Sequence, residues 1–161
     1  LEWFTTQEYE RINAGHNYFN NKVIGYTNIQ NPAIKKYIAM CKIDTAVKAR
    51  ECFKQKLYVD YTGITHWPPN IEMEVHADNC YPDGTPNYVP YRYCAGVLYL
   101  NDNFSGGETY FPNQLLSITP RKGKLVLFPA GNTFKHGVKK ALNNRYTIAM
   151  WLTTQTMHVE L

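Results

Sequence analysis

Two periodicities divide the chain. From Pro32 to Phe53, Ile34, Ile38, Cys41, Ala49, Cys52 and Phe53 recur at helical spacing, with Lys35, Lys36, Lys42 and Lys48 outside that face. Pro32 suits the first turn of such a helix, because its fixed φ is already helical. Upstream, Thr5-Thr6-Gln7-Glu8 has a Thr followed three residues later by a Glu. That capping-box pattern predicts a shorter helix through about Tyr18. Both helices read as a packing layer without chemistry of their own.

From Leu57 the period falls to two. Strands are predicted at Leu57–Tyr61, Ile71–Val75, Ala95–Asn101, Glu108–Phe111, Leu115–Thr119, Lys124–Phe128 and Tyr146–Leu152. Turn signals separate them at Asp83-Gly84, Ser105-Gly106-Gly107, Pro120-Arg121-Lys122-Gly123 and Pro129-Ala130-Gly131. Helices first and many short strands afterwards predict an α+β fold, mostly β, of sandwich or jelly-roll type. Thr62–Asn70 and Asn79–Tyr93 read as long loops flanking the strand Ile71–Val75. Long loops in a compact domain tend to be functional.

Composition adds limits rather than identity. A chain of 161 residues is one domain by length, and 44% hydrophobic residues can fill its core. Aromatics reach 14%, with 13 Tyr, which suits strands. The net charge of +4 is too small to argue for nucleic acid, and no apolar run approaches the roughly 18 residues of a membrane span. Cys41 and Cys52 fall on one helix about 16 Å apart and cannot bridge. Cys80 and Cys94 can meet across a loop, but free thiols are the expected state of all four. The chain starts at Leu1 rather than Met, which leaves its true N-terminus open; the sequence as given shows no leader segment, and a cytoplasmic location is the expectation on that ground alone.

The candidate chemistry starts at His76-Ala77-Asp78. Residues i and i+2 of a strand point to one side, so an imidazole and a carboxylate converge from a short segment. His136, in Lys135-His136-Gly137-Val138, lies 58 residues beyond Asp78. Two His and one carboxylate are the ligand set of non-haem Fe(II) oxygenases. Taken singly, His76 also reads as a strand-end histidine bonded to Asp78, and His136 as an ordinary loop histidine. Arg145 opens the alternating strand Arg145-Tyr146-Thr147-Ile148-Ala149-Met150-Trp151, and its planar fork can hold a carboxylate by two parallel bonds.

With those residues in place, the sequence resembles the Fe(II)/2-oxoglutarate dioxygenases of the prolyl hydroxylase type. The blocks are His76-Ala77-Asp78-Asn79-Cys80, Tyr91 to Asn101, Phe104-Ser105-Gly106-Gly107-Glu108-Thr109, Pro120 to Phe128, and His136-Gly137-Val138 through Arg145-Tyr146. The Asp-Asn-Cys run and the His-Gly-Val-Lys block look most like prolyl 3-hydroxylase catalytic domains; prolyl 4-hydroxylases are similar but more distant. The resemblance implies a double-stranded β-helix (jelly roll) core over 57–153, with 1–56 as N-terminal helical support, in a single domain spanning 1–161. It implies Fe(II) on His76, Asp78 and His136, and the distal carboxylate of 2-oxoglutarate on Arg145. Tyr99 matches a cosubstrate-contacting tyrosine and reads equally as a core aromatic. Tyr61 matches another pocket tyrosine. Trp151, six residues after Arg145, shares its alternation and is a cavity or core residue. Gly106-Gly107-Glu108 looks like a hairpin turn serving shape rather than chemistry.

The implied cosubstrates are 2-oxoglutarate and O2, with ascorbate as an accessory cofactor. The implied reaction is hydroxylation of proline in a peptide or protein with release of succinate and CO2. A free amino acid or other small molecule is the alternative substrate. Many collagen-type 4-hydroxylases carry Lys where Arg145 stands, and the chain is little more than a catalytic core, which weighs against collagen. The two loops are expected to rim the pocket, with Trp67, Tyr81 and Arg92 as substrate candidates. Tyr91 and Tyr93 read rather as packing. Gly and Pro around Asp83-Gly84-Thr85-Pro86 predict a second loop that orders only with substrate.

Overall fold

The structure, a computed structural model, describes residues 22–161. The helix expected at Thr5–Tyr18 lies outside the described residues. Helix α1 runs Pro32–Phe53. Its N-cap is Asn31, whose side-chain oxygen accepts from the backbone N–H groups of Ala33 and Ile34 at 3.0 and 3.1 Å. It ends at Lys54, in the left-handed conformation (φ 53°) that closes helices.

Among the described residues nine strands, one before the helix and eight after it, form two antiparallel sheets. They are β1 (Lys22–Gly25), β2 (Tyr58–Trp67), β3 (Met73–His76), β4 (Arg92–Tyr99), β5 (Thr109–Phe111), β6 (Leu116–Ile118), β7 (Leu125–Pro129), β8 (His136–Val138) and β9 (Arg145–Thr153). The larger sheet has the order β1-β2-β9-β4-β7 and the smaller β3-β8-β5-β6. The sheets face one another as in a jelly roll. Helix α1 covers the outer face of the larger sheet: Ile38 packs with Ile24, Ile64, Ile148 and Met150, and Ala46 and Ala49 pack with Leu57, Val59, Cys94 and Leu152. The helix comes so close that a Cβ on Gly96 would lie 3.0 Å from Thr45 Cγ2.

Strand β9 is the centre of this arrangement. Tyr146, Ile148, Met150 and Leu152 alternate toward α1. Arg145, Thr147, Ala149 and Trp151 alternate into the cavity between the sheets, as the period of two requires.

Four sequence expectations change. Thr62–Trp67 is strand, not loop: Gly63 and Pro68-Pro69 resemble breakers, yet β2 is buried on both faces and so lacks a clean polar alternation. Strands β1 and β8, of 4 and 3 residues, are too short to leave a periodic signal. Cys52 is exposed, and Thr45 and Ala46 fill that stretch of the helix face instead. Lys42 turns inward and pairs with Glu160 at 2.8 Å. The four cysteines are free, as expected.

Glu160 finishes an edge. β1 covers only residues 63–66 of β2, and beyond that point the C-terminal segment takes its place. Glu160 N–H donates to Val59 O at 2.9 Å, and its carboxylate accepts from Thr62 N–H at 3.1 Å. Glu160→Ala leaves the Thr62 backbone donor unpaired and the Lys42 ammonium with only the Tyr26 ring, 3.9 Å away, in a largely buried position. The expected loss, measured by urea unfolding, is about 2 kcal/mol. A change within error would show the segment to be dispensable.

Candidate active site

Strand β3 ends at His76 and β8 begins at His136, and the two are register partners. Pairing therefore sets the imidazoles side by side, with ring centroids 4.6 Å apart. Asp78 follows two residues after His76, held by its N–H to Ala130 O at 2.9 Å and by Asn87 Nδ2 donating to its carbonyl at 3.1 Å. Its carboxylate faces both rings: Oδ1 lies 3.7 Å from His76 Nε2, and Oδ2 lies 4.0 Å from His136 Nε2. One ligand atom from each residue falls within 4.8 Å of the others.

The hydrogen bonds fix the chemistry of both rings. His76 Nδ1 lies 3.0 Å from Glu74 O, and His136 Nδ1 lies 3.3 Å from Phe134 O. A carbonyl only accepts, so each Nδ1 carries a proton, and the neutral ring then has its lone pair on Nε2, the atom that faces Asp78. Burial pulls the His136 pKa down to about 4, against the pull of Asp78, so this ring is neutral at physiological pH. Asp78 Oδ2 is buried with no hydrogen-bond partner among the described residues. An orphaned anionic oxygen beside two imidazole lone pairs fits a divalent cation. Two N donors and one carboxylate match Fe(II).

Arg145 opens β9 opposite Trp67 and is 1% exposed. Its Nε donates to Gly107 O at 3.0 Å and one Nη to Thr109 Oγ1 at 3.3 Å. Among the described residues no carboxylate lies within ion-pair distance of it. Burial lowers its pKa from the ordinary guanidinium value, and Tyr99 acts the other way. The guanidinium carbon sits 5.1 Å from the Tyr99 ring centre and 5.8 Å from that of Trp67, both as cation–π contacts. A buried cation without a counter-ion fits an incoming carboxylate.

Both features line one cavity of about 710 Å³ between the sheets. Among the sequence candidates, Tyr61, Trp67, Tyr81, Arg92 and Trp151 reach its wall. Tyr99 does not: it is fully buried behind Arg145, and its hydroxyl lies 2.6 Å from Thr109 Oγ1. Trp67 stands on β2 at the Arg145 end, packed on Met73 and Val138, rather than on a rim loop. Tyr81 is half exposed on the 79–91 loop at the cavity mouth. Arg92 is the first residue of β4, not a loop residue, and is paired with Asp60 at 3.0 Å. Tyr91 stacks on His158 and Tyr93 packs edge-on against Phe53, as packing residues do.

The 79–91 loop carries hydrogen bonds of its own. Tyr81 N–H donates to Thr85 O at 2.8 Å, Gly84 N–H to Tyr81 O at 2.9 Å, and Thr85 N–H to Asp83 Oδ1 at 2.9 Å. Lys135 Nζ ties it to the turn before β8 through Pro82 O at 3.3 Å. Sequence reasoning also undervalued Gly107. It has φ +70°, its carbonyl accepts from Arg145, and a Cβ there would lie 3.1 Å from Arg145 Cδ. Thr109 closes the Phe104–Thr109 block, yet nothing in the sequence gave it a role; Asp60 left no signal, since it stands in no motif.

The 2OG-Fe(II) oxygenase superfamily pattern matches residues 62–153, more than half of the chain. Prolyl 3-hydroxylase 3 of Mus musculus is 39% identical over 104 residues, which cover 56% of this chain and 14% of the mouse protein. The chain thus spans about a seventh of that relative. A Pseudomonas putida prolyl-4-hydroxylase superposes with a TM-score of 0.68 at 19% identity, covering 96% of this chain and 81% of that one. A Trichoplax adhaerens prolyl hydroxylase, solved with a hypoxia inducible factor peptide, gives 0.66 at 20% identity over 95% of this chain and 73% of that one. The jelly-roll fold, the two-histidine, one-carboxylate cluster and the matched span agree: this chain belongs to the 2OG-Fe(II) oxygenase superfamily.

Proposed function

We propose that this domain hydroxylates prolyl residues of a peptide or protein, with His76, Asp78 and His136 holding Fe(II) and Arg145 holding the distal carboxylate of 2-oxoglutarate. The observation that carries the reading is one cavity wall shared by a carboxylate oxygen between two imidazoles and a buried guanidinium, neither of which has a partner for its charge among the described residues. When bound, Fe(II) with 2-oxoglutarate and O2 supplies the oxidising chemistry that turns a C–H bond into C–OH and releases succinate and CO2.

The chain's own residues do the rest. The two Nδ1–H bonds to backbone carbonyls keep both Nε2 atoms turned toward Asp78, where they would serve as ligands to the ion. Asp78 supplies the anionic ligand, its backbone pinned from both sides by Ala130 and Asn87. Arg145 receives the cosubstrate's far end, while Gly107 O and Thr109 hold the guanidinium in plane. With substrate bound, the sheets and the aromatic wall would shield the target carbon from water. A cavity of about 710 Å³ is far larger than a five-carbon dicarboxylate. Tyr81 and Tyr88 on its mouth and Trp151 on its wall offer aromatic surface to an extended, proline-containing chain. The named activities of the relatives favour proline as the target.

Two results follow. Arg145→Ala raises the KM for 2-oxoglutarate at least tenfold, on the order of 1.5–3 kcal/mol for a lost charged hydrogen-bond pair, while metal binding and fold persist. An unchanged KM removes Arg145 from the site. In the wild type, succinate forms in step with a one-oxygen mass gain on a prolyl peptide, and product analysis identifies the carbon. Turnover of free proline with none of the peptide favours the small-molecule substrate.

A further inference from the structure

The larger sheet breaks register twice at one level. Between Val59 and Tyr61 the pairing of β2 with β9 slips, and between Arg92 and Cys94 the pairing of β4 with β9 slips. Tyr58 and Arg92 are both register partners of Thr153, so the two irregularities flank the same end of β9. A bulge re-aims a side chain, and bulges gather beside active sites. Here they turn Asp60 and Arg92 toward each other from strands that lie on either side of β9. Between them stands Trp151, paired with Tyr61 on one side and Ala95 on the other. The Arg92 side chain crosses the indole, its guanidinium carbon 4.5 Å from the ring centre, and its Nε donates to Asp60 Oδ2 at 3.0 Å.

We propose that Asp60 is a positioning residue for substrate engagement: it fastens Arg92 across Trp151 and so sets the cavity wall that a peptide meets. The assignment rests on the prolyl-peptide reading above. Asp60 itself does not line the cavity, whereas Arg92 and Trp151 do. Its side chain is 2% exposed, and its second oxygen has no hydrogen-bond partner among the described residues, so Arg92 is its main support. Burial pushes its carboxyl above the usual range and Arg92 pulls it back. Among the described residues its one ion-pair partner is Arg92, which it holds at Nε. The two Nη groups make no hydrogen bond to a described residue and remain donors on the wall. Arg145 and the His76–Asp78–His136 cluster have their own supports and share no contact with Asp60.

The test compares wild type, Asp60→Asn, Arg92→Gln and the double variant. Steady-state kinetics are run with a prolyl peptide and with 2-oxoglutarate varied separately, and the Arg92 Nε–H resonance is followed by ¹⁵N NMR, assigned by its absence in Arg92→Gln. Asp60→Asn is expected to lose the exchange-protected Nε–H signal. It should raise peptide KM about tenfold or more, as loss of one partner of a buried charge pair does, and leave the KM for 2-oxoglutarate and peptide-free 2-oxoglutarate decay within about twofold. The double variant should be no worse than Arg92→Gln alone. A peptide KM equal to wild type, or parallel increases in both KM values, overturns the assignment of Asp60 alone. A wild type that consumes 2-oxoglutarate but hydroxylates no prolyl peptide overturns the substrate reading and this use of Asp60 with it.

Discussion

Arg145 places a full positive charge at 1% exposure with no carboxylate within reach among the described residues. An uncompensated buried charge is among the costliest features a small domain can carry. Much of the local architecture reduces that cost without removing it. Gly107 gives up a side chain and lends its carbonyl, Thr109 adds an oxygen, and Tyr99 and Trp67 turn ring faces toward the cation. All of these are neutral. They orient the guanidinium yet leave its charge available, which is the condition of a site built to receive an anion.

The second half of the cavity shows the opposite sign of the same condition. Asp78 has an oxygen without a hydrogen-bond partner among the described residues, and two imidazoles face it, His136 being kept neutral by burial. The Asp78 and Arg145 charges cancel across the cavity. A divalent cation at one end and a dicarboxylate reaching to the other enter together without changing that balance. Each also supplies the counter-charge that the other end lacks. Metal and cosubstrate are therefore coupled by electrostatics before any chemistry occurs.

Much of this was legible in the sequence because it follows from a period of two. His76 and Asp78 share a side of one strand, and Arg145 and Trp151 share a side of another; the structure keeps both pairings. The losses have physical causes. β8 is three residues long with a glycine at its centre, so His136 reads as a loop residue until β3 supplies its partner. Thr62–Trp67 is buried on both faces, so the alternation that marks a half-buried strand is missing and Trp67 was assigned to a rim. Asp60 and Arg92 meet only because two register slips coincide across β9, and a slip leaves no mark in composition or spacing. Gly107 looked like a turn residue and is one; its carbonyl's service to Arg145 needs the third dimension to be seen.

The central claim is that the Arg145 charge awaits the far carboxylate of the cosubstrate. The most direct measurement is calorimetric binding, without oxygen, of 2-oxoglutarate and of 2-oxobutanoate to the Mn(II)-loaded domain. Both acids offer the same 2-oxo carboxylate end, but only the first carries a second carboxylate. Tighter binding of 2-oxoglutarate, on the order of 10- to 100-fold, is expected for a charge-assisted pair formed in a buried site. Equal affinities would contradict the account, because they would mean that the buried guanidinium does not meet the ligand.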